Sequence, residues 1–223
     1  LEERSLLATV GAPWPHPRDL TLSFAPDGTA IGLYESSLFA TLGRQRAASA
    51  WQTEVLRAFQ AWTAAADLDI GIVPDTGRPF GVAGLAQGDP RFGDIRLGAF
   101  PQSGVIANVA PFQPVAGSWS GDLFLNSSLA SELQSSGIDL FSVLLNEAGN
   151  AVGLADNDDP ESVMYTDYRG QRNALSPADV TAIQELYGGR HPDANEGDAG
   201  NDTAVNATPI YPTLTNGTVQ ATV

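Results

Sequence analysis

One helix constrains this chain more than any other feature. From Asp139, the run DLFSVLLNEAGNAVG puts Leu140, Phe141, Leu144, Leu145, Ala148, Ala151 and Val152 at spacings of three and four, with Asp139 as N-cap and Gly153 as the stop. The helix is expected over 139–152. Among its polar members, Asn146 and Asn150 are one turn apart and share a face. Metal chemistry on a helix needs two ligands in that relation, with a carboxylate after the first as general base; Glu147 has that place. Gly153 then lets the chain turn back under the site, where Asp156 stands in the third ligand's position.

The rest of the chain reads as alternating short strands and helices. Residues 20–24 (LTLSF), 68–73 (LDIGIV), 94–100 (DIRLGAF), 105–112 (VIANVAPF) and 121–126 (GDLFLN) are strand-like, bounded by Gly, Pro and Ser clusters. Between Ala47 and Ala66, Trp51, Val55, Phe59, Trp62 and Ala66 form the stripe of a second amphipathic helix, whose tryptophans read as core. A third helix is announced by LSPADVTAIQELYGG, with Ser176 as N-cap, Pro177 in the first turn, Asp179 behind it and Gly188-Gly189 as terminator. The expected fold class is α/β (α+β), and a mostly parallel sheet backed by helices fits these elements. The domain organisation expected is 1–189 for this domain, an acidic linker at 190–202, and the start of a β-sandwich-like C-terminal domain at 203–223.

The segment Asn146-Glu147-Ala148-Gly149-Asn150-Ala151-Val152-Gly153-Leu154-Ala155-Asp156 resembles the HExxHxxGxxH/D signature of metzincin zinc endopeptidases, matrixins above all. Four further segments resemble matrixin segments in the same order: DIRLGAF, VIANVAPF, SGDLFLN and LSPADVTAIQELYG. VMY (163–165) is similar to the family's Met-turn and holds Met164, the one methionine of the chain. The resemblance covers residues 14–189. It implies a metzincin fold, a twisted five-stranded sheet that is mostly parallel with one antiparallel edge strand, and three helices, with zinc at positions 146, 150 and 156 in active relatives and Glu147 as general base. It also implies an edge strand near 103–112 that holds an extended peptide, with Ile106 and Asn108 as the substrate-binding positions. Asn108 stands where matrixins often place a histidine of a second, structural zinc site.

The departures bear directly on activity. An asparagine side chain ends about 2 Å short of where the far nitrogen of a histidine holds its metal. The site is therefore expected to be empty of zinc, Glu147 to be vestigial, and the domain to act as a catalytically inactive binding or structural module. The alternative is a zinc endopeptidase reading HEAGHAVGLAD in which both histidines were changed to asparagine. His16 and His191, the two histidines present, read as exposed. No cofactor is expected as the chain stands; calcium is the one cation in view, since ADNDDPE (155–161) carries several hard oxygen ligands, though without EF-hand spacing.

Charge narrows the partners. A net charge of −15 disfavours nucleic acid and anionic membrane surfaces, and no apolar run is long enough for membrane insertion. All eleven basic residues are arginine and there is no cysteine, so thiol chemistry and cysteine-ligated metal are excluded. The sequence opens without a charged-then-apolar leader, from which a removed or absent signal peptide is expected. Together with the resemblance, these features suggest an extracellular or cell-surface protein. Its partner would be a peptide or protein segment along the edge strand, or other subunits of a surface assembly.

Overall fold

The computed structural model describes residues 11–44, 47–128 and 137–191, and the backbone of two short strands farther on. The chain divides into two compact units, residues 1–189 and 190–223. In the first, chain order gives β1 (Leu20–Phe24), β2 (Ala30–Ile31), β3 (Tyr34–Glu35), α1 (Leu38–Gly43), α2 (Ala48–Thr63), β4 (Ile70–Ile72), β5 (Ile95–Phe100), β6 (Ala107–Val109), β7 (Leu123–Asn126), α3 (Leu140–Ala151) and α4 (Pro177–Tyr187). In the second, only β8 (Thr213–Thr215) and β9 (Thr218–Gln220) are described, as an antiparallel pair. Of the linker expected at 190–202, residues 192–202 lie outside the described residues, as does most of 203–223.

Five strands form one sheet in the order β4-β1-β5-β7-β6. β4, β1, β5 and β7 run parallel, while β6 pairs antiparallel to β7 and forms an edge. This is the mixed sheet expected from the sequence. Two differences are instructive. The β6 ladder covers Ala107–Val109 rather than 105–112; past Val109 the regular pairing breaks, since the Ala110 carbonyl accepts from the Gly121 N–H while the Asp122 N–H bonds Trp119 instead. The small β2–β3 hairpin and the six-residue α1 were not foreseen, since two-residue strands show no alternation to read.

The main core lies between the sheet and helices α2 and α3. Trp51, Val55, Ala58, Phe59 and Trp62 are buried on α2, and Leu144, Leu145, Ala148 and Ala151 on α3. These are the stripes read from periodicity; they pack together because neither helix can hide its apolar face alone. The opposite face of the sheet carries a second cluster of Ala25, Ile31, Phe80 and Phe124. Arg96 belongs to neither stripe. Its fully buried guanidinium meets Asp75 at 2.6 Å and lies over the rings of Phe80 and Phe92, so the charge is both paired and stacked.

Candidate functional site

The site is organised by α3. Asp139 caps its N-terminus by accepting from the Ser142 N–H at 2.9 Å, which fixes where the helix starts and therefore which residues face outward. Two tryptophan indoles hold its backbone: Trp62 Nε1 donates to the Leu145 carbonyl at 2.9 Å and Trp14 Nε1 to the Ala151 carbonyl at 2.8 Å. At the exit, Tyr187 Oη donates to the Val152 carbonyl at 2.7 Å, and Gly153 adopts φ 102, a conformation that glycine enters without steric penalty. The turn leads to Asp156.

Beneath the helix lies Met164. A Cβ added at Gly149 would sit 2.3 Å from Met164 Sδ and 2.7 Å from Trp62 Cζ2, so the glycine is required by this close approach. The turn that carries Met164 is anchored by a residue read from sequence only as an acidic member of the α4 first turn. Asp179 does close a capping box with Ser176, but it is buried and also accepts from the Ser162 hydroxyl and, at 2.9 Å, from the Val163 N–H. Nothing local in the sequence signals this second role, because Ser162 and Val163 lie more than a dozen residues upstream.

Asn146, Asn150 and Asp156 come together, with Asn150 bridging the other two. Asn146 Nδ2 donates to the Val163 carbonyl at 3.0 Å, which turns its Oδ1 toward Asn150. Asn150 Nδ2 lies 3.4 Å from Asn146 Oδ1 and 3.4 Å from Asp156 Oδ1. Both contacts are long, and all three side chains are partly open to solvent. Glu147 differs. It is buried, with no hydrogen-bond donor to its carboxyl among the described residues, and desolvation, reinforced by the Asp156 carboxylate, pushes its pKa up to about 7.

The donor set does not fit zinc. Of the three side chains at the ligand positions only Asp156 is a common zinc ligand; one amide nitrogen is committed to a backbone carbonyl, and neither amide reaches as far as an imidazole. Among the described residues, no group of three or more His, Cys, Asp or Glu is arranged to hold a metal ion. In the 155–161 loop, Asn157 Oδ1 accepts from the Asp159 N–H and Asp159 Oδ1 from the Glu161 N–H, so two of the oxygens considered for calcium are used by the loop itself. His16 and His191 are exposed and lie outside the cleft lining.

A cleft of about 630 Å³ runs between β6 and α3. Its floor includes Asn146, Glu147 and Asn150, its upper rim residues 104–109, and its far wall Tyr165, Tyr168, Arg169 and Arg172. The register of β6 corrects the sequence assignment of Ile106 and Asn108 as the positions offering outward main-chain groups. Asn126 N–H donates to the Ile106 carbonyl and Ala110 N–H to the Asp122 carbonyl, both at 2.8 Å. With Asn108 opposite Phe124, the two-residue period turns the polar groups of 106, 108 and 110 inward to β7. Ala107 and Val109 present theirs to the cleft. The parity is set by a partner strand distant in sequence, which is why the sequence alone did not give it.

Comparison with known proteins agrees with this geometry. Residues 86–188 match the family model described as matrixin. The chain is 36% identical to stromelysin-2 of Rattus norvegicus over 95 residues, 41% of this chain and 20% of that protein. It is 31% identical to matrix metalloproteinase-20 of Homo sapiens over 137 residues, 60% and 27% of the two chains. It is 29% identical to karilysin of Tannerella forsythia over 86 residues, 39% and 18% of the two. The matches thus span between 18% and 27% of the length of these relatives. With the mixed five-stranded sheet, the helix–glycine turn–methionine arrangement and the matched segment, the chain contains a matrixin-like domain.

Proposed function

We propose that this domain is a non-catalytic binding module: it holds no zinc, hydrolyses no peptide bond, and takes an extended peptide or protein segment along the outward edge of β6. The observation that carries the reading is the bridging of Asn146 and Asp156 by Asn150 in place of a metal-ligand set. Peptide cleavage by such a site needs water activated at neutral pH, a task zinc performs by bringing the bound water's pKa to about 7. Among the described residues, no other group lining the cleft supplies that effect. The peptide-holding edge does not depend on metal, because main-chain pairing at Ala107 and Val109 requires only unpaired N–H and C=O groups. We also propose that the chain works outside the cell or at its surface, as one part of a larger surface protein; its acidic, cysteine-free composition and the matrixin relationship support this. The test is turnover of a degenerate peptide library. No cleavage above buffer is expected, and turnover abolished by Glu147→Gln would overturn the proposal.

A second reading, a zinc endopeptidase with histidines at 146 and 150, has one observation in its favour. The helix face, the Gly149–Met164 packing and the Gly153 turn are all in place to receive them. The double variant Asn146→His/Asn150→His decides whether the scaffold still forms a metal site. One equivalent of zinc bound by that variant, together with histidines in the genomic reading frame, would establish the second reading for the natural protein.

A further inference from the structure

The floor of the cleft is rich in oxygen and poor in cations. Glu147 is only 8% exposed, yet it lines the cleft and receives no hydrogen bond from the described residues. Asp156 and Asn146 each contribute an Oδ1 whose contact within the cluster is a 3.4 Å approach of Asn150 Nδ2. The two arginines of the cleft are engaged on its far wall: Arg172 donates to the Pro160 carbonyl, while Arg169 donates to Tyr165 Oη and lies 5.1 Å over that ring. Among the described residues, no ion pair is made to Glu147 or Asp156. A carboxyl group this deep in an open cleft, with no protein donor among the described residues, is left to solvent and can accept a donor that a ligand brings.

We infer that the partner segment carries a lysine whose ammonium enters this cluster and donates to Glu147, Asp156 and Asn146 Oδ1. The inference rests on the proposed peptide-binding reading and names the chemistry of its occupant. Lysine fits for three reasons. Its ammonium is compact and has three rotatable donors, matching a set of three oxygen-bearing side chains, whereas a planar guanidinium prefers a two-oxygen fork. Its four-carbon stem can descend from a strand paired with Ala107 and Val109 while the charge sits below. The protein's field, at a net charge of −15, draws cationic segments toward it. These 223 residues contain no lysine, so another copy of this segment cannot supply the ammonium.

The test uses two acetylated and amidated decapeptide libraries, identical except that the fixed central residue is lysine in one and norleucine in the other. Norleucine keeps the stem and removes the charge. The lysine library is expected to bind at least about tenfold tighter by fluorescence anisotropy, as a partly buried charged hydrogen bond warrants. Glu147→Gln should reduce that preference to within about threefold, and the exposed Asp156→Asn, which leaves the core untouched, should lower it by a smaller factor. Equal binding of the two libraries, or a preference that survives both substitutions, overturns the lysine inference while leaving the peptide cleft standing. Val109→Pro removes an outward N–H and should weaken both libraries alike. If neither library binds the unsubstituted protein, the peptide-cleft reading fails and the lysine inference fails with it.

Discussion

Replacing Glu147 by glutamine should make this protein more stable at pH 8 and leave its stability nearly unchanged at pH 4. The carboxyl has an ordinary value of 4.5 when free and is pushed up to about 7 in the fold, first by burial and then by Asp156. Between those values the folded state binds more protons than the unfolded state, so stability falls as pH rises through the interval. The cost is absent below the unfolded value and complete above the folded one. A rise from 4.5 to about 7 corresponds to about 3 kcal/mol. Glutamine has nearly the same shape and no charge, so the variant should lack this slope. The assay is urea unfolding followed by tryptophan fluorescence at pH 4, 5.5, 7 and 8 for both proteins. Asp122, also raised by burial, titrates in both and cancels in the difference. The stability of the variant minus that of the unsubstituted protein should climb by about 2–3 kcal/mol from pH 4 to pH 8. Parallel pH profiles would refute the reasoning, since they would mean that Glu147 is already matched by a donor in the folded protein.

Three further outcomes follow from the geometry. Gly149→Ala should cost about 1–3 kcal/mol in chemical denaturation, because the new Cβ overlaps Met164 Sδ and Trp62; an unchanged midpoint would show that Met164 moves freely. Asp179→Ala strands the buried donors of Ser162 and Val163 and that of Ser176, and should destabilise by at least about 2 kcal/mol. Hydrogen exchange should locate the added opening at residues 162–164 as well as at the start of α4; protection lost only at α4 would reduce Asp179 to a helix cap. Asn146→His/Asn150→His should bind about one zinc by calorimetry, with affinity lost on adding Asp156→Ala, and a titration indistinguishable from the parent protein would show that the scaffold no longer has the metal geometry.

What could be read from the sequence follows the range of the interactions involved. Helix α3 was legible to within a residue because its periodicity, its Asp139 cap and its Gly153 stop are all local. The Ser176 cap and the Gly188 stop of α4 were legible for the same reason. The antiparallel edge was anticipated from family resemblance, but its parity was not, since whether Ile106 or Ala107 faces the cleft depends on pairing with Asn126 and Asp122. Pairs distant in sequence also escaped notice. Asp75 and Arg96 meet across 21 positions to form a buried ion pair, and Asp179 reaches back 17 residues to Ser162. The floor of the cleft could be named from residue types at fixed spacing; the bridging of Asn146 and Asp156 by Asn150 required the turn that brings Asp156 back.

Zinc content tests the central claim most directly. The purified protein would be equilibrated with excess zinc at neutral pH, freed of unbound metal, and analysed for metal content alongside its Asp156→Ala variant. The account predicts well under one equivalent, with the same small residue in both proteins, since Asn146 and Asn150 cannot serve as imidazoles do. One equivalent of zinc retained by the unsubstituted protein and lost in the variant would contradict it.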